Sequence, residues 1–374
     1  MRLATYNVEN LFNRAKAMNL EGWVEGKPVL EAFARLNQLL GEPTYSAQDK
    51  ARMVSLLTEL GLAASDRGPF VILRQNRGSL VKRPKAGGLE IVANGRTEWV
   101  GSLELIEAPV DLEAMRNTAR VMIDLKADVL AVVEAESRPA LRDFNTEIIG
   151  GLGGPTFKHV MLIDGNDTRG IDVGLMTAAG YPIGTLRSHV DDAAADGELI
   201  FSRDCAQFQI PLPAPQQPER QLIVLVNHLK SKGFGSLAAS AKKRQAQAER
   251  IKAIYQELVA RGERYIAVVG DFNDTPDSAP LAPLLQDTDL QDAFVHPAFD
   301  DGGYPGTFDT CKAANKIDYL LLSPALFATV SAGGVWRKGM WPGSRPQRWD
   351  VYPELDKKEN AGSDHAAVWV DLAL

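Results

Sequence analysis

The chain has 374 residues, of which 45% are hydrophobic and 24% charged, and its formal net charge is −7 at neutral pH. This length allows one large α/β domain with an insertion or two domains, and the composition is that of a soluble globular protein. Net acidity excludes a wholesale electrostatic grip on nucleic acid and leaves room only for a local basic face. The two cysteines, Cys205 and Cys311, form no C-x-x-C pattern, so they cannot make a zinc cluster by themselves.

In chain order, residues 1–10 lack the apolar core and cleavage site of a signal peptide, which makes a cytoplasmic location the expectation, with secretion the alternative if a leader was removed. No apolar run reaches the ~18 residues needed to span a membrane. Residues 3–8 read as a strand whose end carries Asn7 and Glu9. From about residue 12 to 110 the character changes. Residues 31–40 and 46–60 have helical spacing, with Ser46 and Asp49 as a capping box, and 70–75, 89–93 and 99–105 read as strands. The turn between them holds Arg74, Arg77, Lys82, Arg83 and Lys85 with no acid among them. It is either a solvated hairpin or a nucleic-acid contact.

An amphipathic helix over 112–125 feeds the apolar strand 129–133, with Glu134 at its mouth and Glu136 beyond. A helix is expected over 138–150, strands over 158–163 and 171–177, and a polar turn over 165–170 between those strands. Residues 199–210 and 221–228 read as an antiparallel pair around the Pro-rich loop 211–218, the second strand ending in Asn227-His228-Leu229-Lys230. A long polar helix over 238–258 follows. Strands are expected over 307–310, 317–322 and 366–372, with a Gly/Pro-rich loop at 336–349.

The most informative stretch is 265–277. A β-branched apolar run, long enough for a strand buried on both faces, breaks at Gly270 and delivers Asp271, Asn273 and Asp274 before Pro276. A carboxylate and an amide two residues apart lie on the same side of an extended backbone. There the acid can take a proton from water while the amide orients a polar group; the plainer reading is an Asx-turn closing a strand. Collecting the polar residues at strand ends gives Asn7, Glu9, Glu134, Arg203, His228, Asp271, Asn273, Asp318, Asp364 and His365. In a packed sheet structure such ends converge on one edge. Oxygen donors dominate, which suits Mg²⁺ or Mn²⁺, with Ca²⁺ as a further option, rather than zinc. Asp318 and His365 could form a carboxylate–imidazole pair.

The order N-V-E, V-E after an apolar strand, S-R-D, N-H-L-K-S-K, G-D-F-N-D-T-P, I-D-Y and S-D-H resembles the endonuclease/exonuclease/phosphatase superfamily, in its bacterial nuclease-like branch. The resemblance covers residues 1–13 and ~112–374. It implies an α/β fold like that of pancreatic DNase, a four-layer α/β/β/α sandwich of two packed mixed sheets, in one domain over 1–374; the helical and β-hairpin stretch 14–111 reads as a subdomain inserted in it, without counterpart in compact members of the family. It implies a hydrolase of phosphate esters assisted by a divalent cation, held by Glu134 and Asn7 with Glu9 and Asp364 near it. Asp271 would activate water, Asn273 would position it, and His365, braced by Asp318, would bind the scissile phosphate. His228 would be a second phosphate ligand or general acid, and Arg203 a phosphate contact. The chain departs from the pattern at Glu9, where several relatives have Asp, and at Val133, where many have Gln.

Substrate class rests on the 336–349 loop, which interleaves Trp336, Trp341 and Trp349 with Arg337, Lys338, Arg345 and Arg348. Aromatic faces stack bases and guanidinium groups neutralise phosphates, so a flexible nucleic acid suits it; the same residues could equally pin a loop to the core. Arg345, Arg348 and Trp349, with Arg169 in the polar turn, complete the expected substrate contacts. A nuclease acting on DNA or RNA is the leading expectation, and hydrolysis of small esters such as inositol phosphates, nucleotides or phospholipid headgroups the alternative. No obligate protein partner is expected.

Overall fold

The computed structural model describes all residues except 21–22, 168, 214–219, 233–235 and 344–347. The chain divides into two units, one of Met1–Phe12, Val110–Lys232 and Ser236–Leu374 and another of Asn13–Pro109. In the first unit the strands are β1 (Arg2–Asn7), β2 (Val129–Ala135), β3 (His159–Ile163), β4 (Asp172–Thr177), β5 (Leu186–Arg187), β6 (Cys205–Pro211), β7 (Gln221–His228), β8 (Tyr265–Asp271), β9 (Gln291–Asp292), β10 (Phe299–Asp300), β11 (Asp318–Leu322), β12 (Val330–Trp336) and β13 (Ala367–Leu372). The helices used below are α1 (Leu112–Leu125), α2 (Arg138–Asp143) and α3 (Leu237–Ala260).

The strand sequences dictate layers. In β2, Val129, Ala131 and Val133 face one core while Leu130 and Val132 face another. In β8, Ala267 and Val269 join that first core while Ile266 and Val268 face a third. A strand apolar on both faces must be covered on both. Hence the seven-stranded sheet β10-β12-β13-β1-β2-β4-β3 packs against the six-stranded sheet β5-β6-β7-β8-β11-β9. Met122 and Leu125 of α1 cover the outer face of the first sheet, and Ile251 and Tyr255 of α3 that of the second. The result is helix, sheet, sheet, helix, with both sheets mixed because β1–β2 and β7–β8 are parallel.

Local chemistry sets the ends. Asp111 caps α1 by accepting the N–H groups of Glu113 and Ala114 at 2.9 and 3.3 Å. Gly270 has φ +123°, and a Cβ there would fall 2.0 Å from the Asn227 carbonyl, so the strand can turn toward Asp271 only without a side chain.

The second unit builds its own core from Phe33, Leu36, Met53, Leu57, Leu73 and Trp99. Its helices are Trp23–Gly41 and Ala47–Glu59, the latter opened by the Ser46/Asp49 capping box. Val71–Arg77 pairs with Val100–Leu105. In the basic turn, Arg74 pairs with Glu104 at 2.6 Å and Arg83 with Asp66 at 2.8 Å, so part of that charge is spent internally.

Some elements differ from expectation. Residues 199–204 are not strand, because Ser202-Arg203-Asp204 turns inward and Asp204 accepts the His189 N–H at 2.7 Å. Residues 307–310 give only a bridge from Phe308 to His365. The expected helix 138–150 is α2 followed by a π-helical turn, Phe144–Ile149. Strand β12 has no clear sequence signal because of Gly333 and Gly334; a Cβ on Gly333 would meet the Phe299 ring at 2.6 Å. Among the described residues, no helix is long and apolar enough to cross a membrane.

Candidate active site

Register assembles the site. Parallel pairing of β7 with β8 sets His228 opposite Asp271, and antiparallel pairing of β8 with β11 sets Asp271 opposite Asp318. In the other sheet, β1 and β2 run parallel with Asn7 opposite Val133, which puts Asn7 and Glu134 at neighbouring strand ends. The sheets' contact then brings both sets together: Asn7 Nδ2 donates to Asp271 Oδ2 at 3.2 Å and lies 3.5 Å from His365 Nε2. Ser363 ties in the last segment, its hydroxyl donating to the Asn7 carbonyl at 2.7 Å and accepting the His365 N–H at 3.0 Å.

Asp271, 2% exposed, is the hub. Its Oδ1 accepts the Asn273 N–H at 2.8 Å and its Oδ2 the Asn273 side-chain amide at 3.1 Å. His228 Nε2 lies 3.6 Å from Asp271 and 3.4 Å from Glu134 Oε1. His365 Nδ1 lies 2.9 Å from Asp318 Oδ2. Two triplets, Glu134–His228–Asp271 and Asp271–Asp318–His365, have ligand atoms within 4.8 Å of one another. The metal-adjacent residues of the sequence reading sit at the rim. Glu9 Oε2 accepts the Asp364 N–H at 3.2 Å, and Asn7 Oδ1 accepts the Glu9 N–H at 3.1 Å. Glu9, Asn10, Glu134 and Asn273 all have positive φ, at 50°, 65°, 66° and 54°. Such backbone is costly for residues with a Cβ and concentrates at functional sites.

The local fields separate the two imidazoles. Burial lowers the His228 pKa, and the Arg203 and Arg169 guanidinium groups lower it further, so this ring is neutral. Burial also opposes charge on His365, but the Asp318 carboxylate and its hydrogen bond, with Asp364 and Asp271, hold its pKa well above the ordinary value. Burial pushes Asp271 up to about 7, with His365 pulling down and Asp318 and Glu134 pushing up.

A cationic group adjoins this set. Arg169 grips Asp167 through Nε and Nη2 at 2.8 and 2.6 Å, and Arg203 Nε lies 3.3 Å from the same carboxylate. Arg203 is 2% exposed, and its Nη1 has no hydrogen-bond partner among the described residues. Burial and both guanidinium groups lower Lys230 to about 8. From α3, Gln247 Oε1 accepts the Lys230 N–H at 2.8 Å while Arg244 Nη1 donates to its carbonyl at 2.6 Å. Arg244 also holds Asp274 Oδ2 at 2.7–2.9 Å, and Asn273 Nδ2 donates to the Leu229 carbonyl at 3.1 Å. The turns that follow His228 and Asp271 are therefore bolted to one helix.

In the 336–349 loop, Trp336, Arg337, Arg348 and Trp349 make hydrogen bonds to the rest of the chain. Trp336 Nε1 donates to Tyr352 at 3.2 Å, and Arg337 is buried on the Asp301, Tyr304 and Gly306 carbonyls. Trp349 Nε1 donates to the Met340 carbonyl at 3.2 Å with its ring edge-on to Tyr304, and Arg348 Nη1 donates to the Pro342 carbonyl at 3.2 Å. Arg345 lies outside the described residues.

Sequence reasoning missed Asp167, Lys230, Arg244, Gln247 and Ser363 as parts of the site. It also gave no role to Glu136, whose carboxylate accepts the Leu11 and Phe12 N–H groups at 2.7–3.1 Å. The available signals were the Asp-x-Arg spacing of 167 and 169 and the Lys that ends N-H-L-K.

The pattern of the Endonuclease/Exonuclease/phosphatase family matches residues 110–365. No curated protein matches the chain significantly. Among similar solved structures, an endonuclease/exonuclease/phosphatase family protein from Bacteroides thetaiotaomicron is 16% identical, with 69% of this chain and 88% of that chain covered and a TM-score of 0.47. A mannosyl-6-phosphatase from Bacteroides thetaiotaomicron VPI-5482 is 16% identical, with coverage of 70% and 92% and a TM-score of 0.49. The human Nocturnin catalytic domain is 15% identical, with coverage of 71% and 87% and a TM-score of 0.47. With the family pattern spanning most of the chain and a buried carboxylate–imidazole cluster at the strand ends it covers, this protein is a phosphoesterase that belongs to the endonuclease/exonuclease/phosphatase family.

Proposed function

We propose that the protein is a divalent-metal-dependent phosphodiesterase that cleaves nucleic acid, and the observation that carries this is the meeting of Asn7, Glu134, His228, Asn273, Asp318 and His365 around Asp271. The donor set fits a hard cation such as Mg²⁺ or Mn²⁺: carboxylates of Glu134 and Asp271 with the Asn7 amide close by, and no thiolate, both cysteines being buried in apolar clusters. Glu134 and Asn7 would hold it, with Glu9 and Asp364 at the rim. When bound, the cation supplies positive charge to the phosphate oxygens and the leaving alkoxide, and favours ionised Asp271.

The remaining work falls to the chain's own groups. Asp271 takes the proton of the attacking water, and Asn273, fixed by its bonds to Asp271 and the Leu229 carbonyl, keeps that carboxylate oriented. His365, protonated and anchored by Asp318, directs its Nε2–H at a non-bridging oxygen where charge grows. Neutral His228 offers one N–H donor and one acceptor nitrogen. Arg203 directs Nη1 to the phosphate.

Hydrolysis of small phosphate esters is the second reading, favoured by the internal use of Trp336, Arg337 and Trp349 and by the net charge of −7. Incubation with plasmid, single-stranded DNA, RNA and bis-p-nitrophenyl phosphate, each with Mg²⁺, Mn²⁺ or EDTA, decides between them. EDTA-sensitive cleavage of a polymer is expected; turnover of the small ester alone selects the second reading, and silence with every metal overturns both.

A further inference from the structure

Resting on the reading of Asn7, Glu9 and Glu134 as the cation side of the site, we propose that Glu136 is a positioning residue: its carboxylate fixes the turn after β1 and so keeps Asn7 and Glu9 in place beside Glu134.

The first support is where backbone pairing stops. The β1–β2 ladder ends with Asn7 opposite Val133. Beyond it the Val8 N–H still reaches the Val133 carbonyl and the Asn10 N–H the Glu134 carbonyl, each at 2.9 Å. For the next two N–H groups the acceptor is a side chain. The Glu136 carboxylate takes the Leu11 N–H at 3.0 and 3.1 Å and the Phe12 N–H at 2.7 Å. Leu11 is buried, so removing that acceptor would strand an N–H that water does not reach. The second support is strain. Glu9 and Asn10 have φ 50° and 65°, and left-handed backbone at residues with a Cβ costs about 1–3 kcal/mol each and persists only where the surroundings hold it. The Glu134 carbonyl holds the middle of this turn and Glu136 its far end.

The third is what rests on the turn. Asn7 Oδ1 accepts the Glu9 N–H, and Glu9 Oε2 accepts the Asp364 N–H, so the orientation of both side chains depends on the backbone of residues 8–12. The fourth is connection. The chain leaves for the second unit after Phe12 and returns at Val110, whose N–H donates to the Phe12 carbonyl at 2.8 Å. The Phe12 ring lies edge-on to Phe144, with centroids 5.7 Å apart. Any displacement passed along the chain from that unit reaches the turn through Phe12, the residue Glu136 holds at the shorter distance.

The test is titration of the full-length protein with Mn²⁺ followed by electron paramagnetic resonance, which reads cation binding without substrate or turnover. Positioning depends on the reach of an acceptor oxygen rather than on its charge. Glu136→Gln keeps an Oε1 able to accept both N–H groups, so its Mn²⁺ dissociation constant should stay within about threefold of wild type. Glu136→Asp keeps the charge but withdraws the acceptor by one methylene, and should weaken binding about tenfold or more, as loss of a partner that orients a metal ligand does. Glu136→Asn, equally short and uncharged, should weaken it as much, and it stands in if Glu136→Asp does not fold. Weakening in Glu136→Gln equal to or greater than in the short variants would make Glu136 a source of charge or a direct donor. Unchanged binding in all three would leave it no role at the cation. Either result overturns the proposal. Failure of wild type to bind Mn²⁺ removes the cation site and this role with it, whereas the expected order without hydrolysis of any ester keeps the role and removes the hydrolase reading.

Discussion

Asp318 and His365 meet through a 2.9 Å contact between Oδ2 and Nδ1, although 47 positions separate them in the chain. The carboxylate orients the ring and leaves Nε2, 3.5 Å from the Asn7 amide nitrogen, turned toward the hub acid Asp271 at 3.9 Å. A buried ring stays charged only where a carboxylate outweighs its desolvation.

Asp318→Asn should therefore lower kcat about a hundredfold with the fold intact, because the imidazolium loses its counter-charge. Steady-state kinetics at saturating metal checks this. A kcat within threefold of wild type would remove Asp318 from the mechanism.

Glu134→Gln takes one anionic donor from the expected cation site while keeping the shape of the side chain. The Mg²⁺ concentration for half-maximal activity should rise about tenfold or more. An unchanged metal titration would sink this assignment.

Asp172, 1% exposed, is held protonated up to about pH 7 by burial, opposed by the Gly165 N–H and reinforced by Asp164 and Asp167. In the unfolded chain its pKa returns to the ordinary 3.8. Its contribution is complete below that value and fades as pH rises to about 7, at up to about 1.4 kcal/mol per pH unit. Asp172→Asn, which can still accept the Gly165 N–H, should be on the order of 1–3 kcal/mol more stable than wild type at pH 8, and the gain should vanish at pH 4. Urea melts at the two pH values measure it, and equal differences at both would refute it.

Arg244→Met leaves buried Asp274 with Lys232 as its remaining ion-pair partner among the described residues, at 2.6 Å, and removes the hydrogen bond from Arg244 to the Lys230 carbonyl. Unfolding free energy should drop by about 3 kcal/mol, and Arg244→Lys should recover part of it. A melt unchanged in Arg244→Met would show that α3 does not hold these turns.

Much of this was readable in one dimension. Alternation and apolar runs marked β1, β2, β7, β8 and β13, the Asp111-led period marked α1, and each functional strand ended in its polar residues. Periodicity is a local property set by which face of an element meets water, so it survives in a linear reading. The S-R-D turn was read as strand because its inward polar side chains serve partners that local pattern does not reveal.

The sequence by itself determined the alternating strands, the acids, amides and imidazoles at their ends, and the family they belong to. Only the tertiary structure decided their pairing: which carboxylate braces His365, that Asp167 gathers Arg169 and Arg203, and that Trp336, Arg337 and Trp349 bond inward. The reason is physical. A side chain carries the same charge and ring whether it faces a substrate or a backbone carbonyl, and what it faces depends on strand register and layer packing between segments hundreds of residues apart.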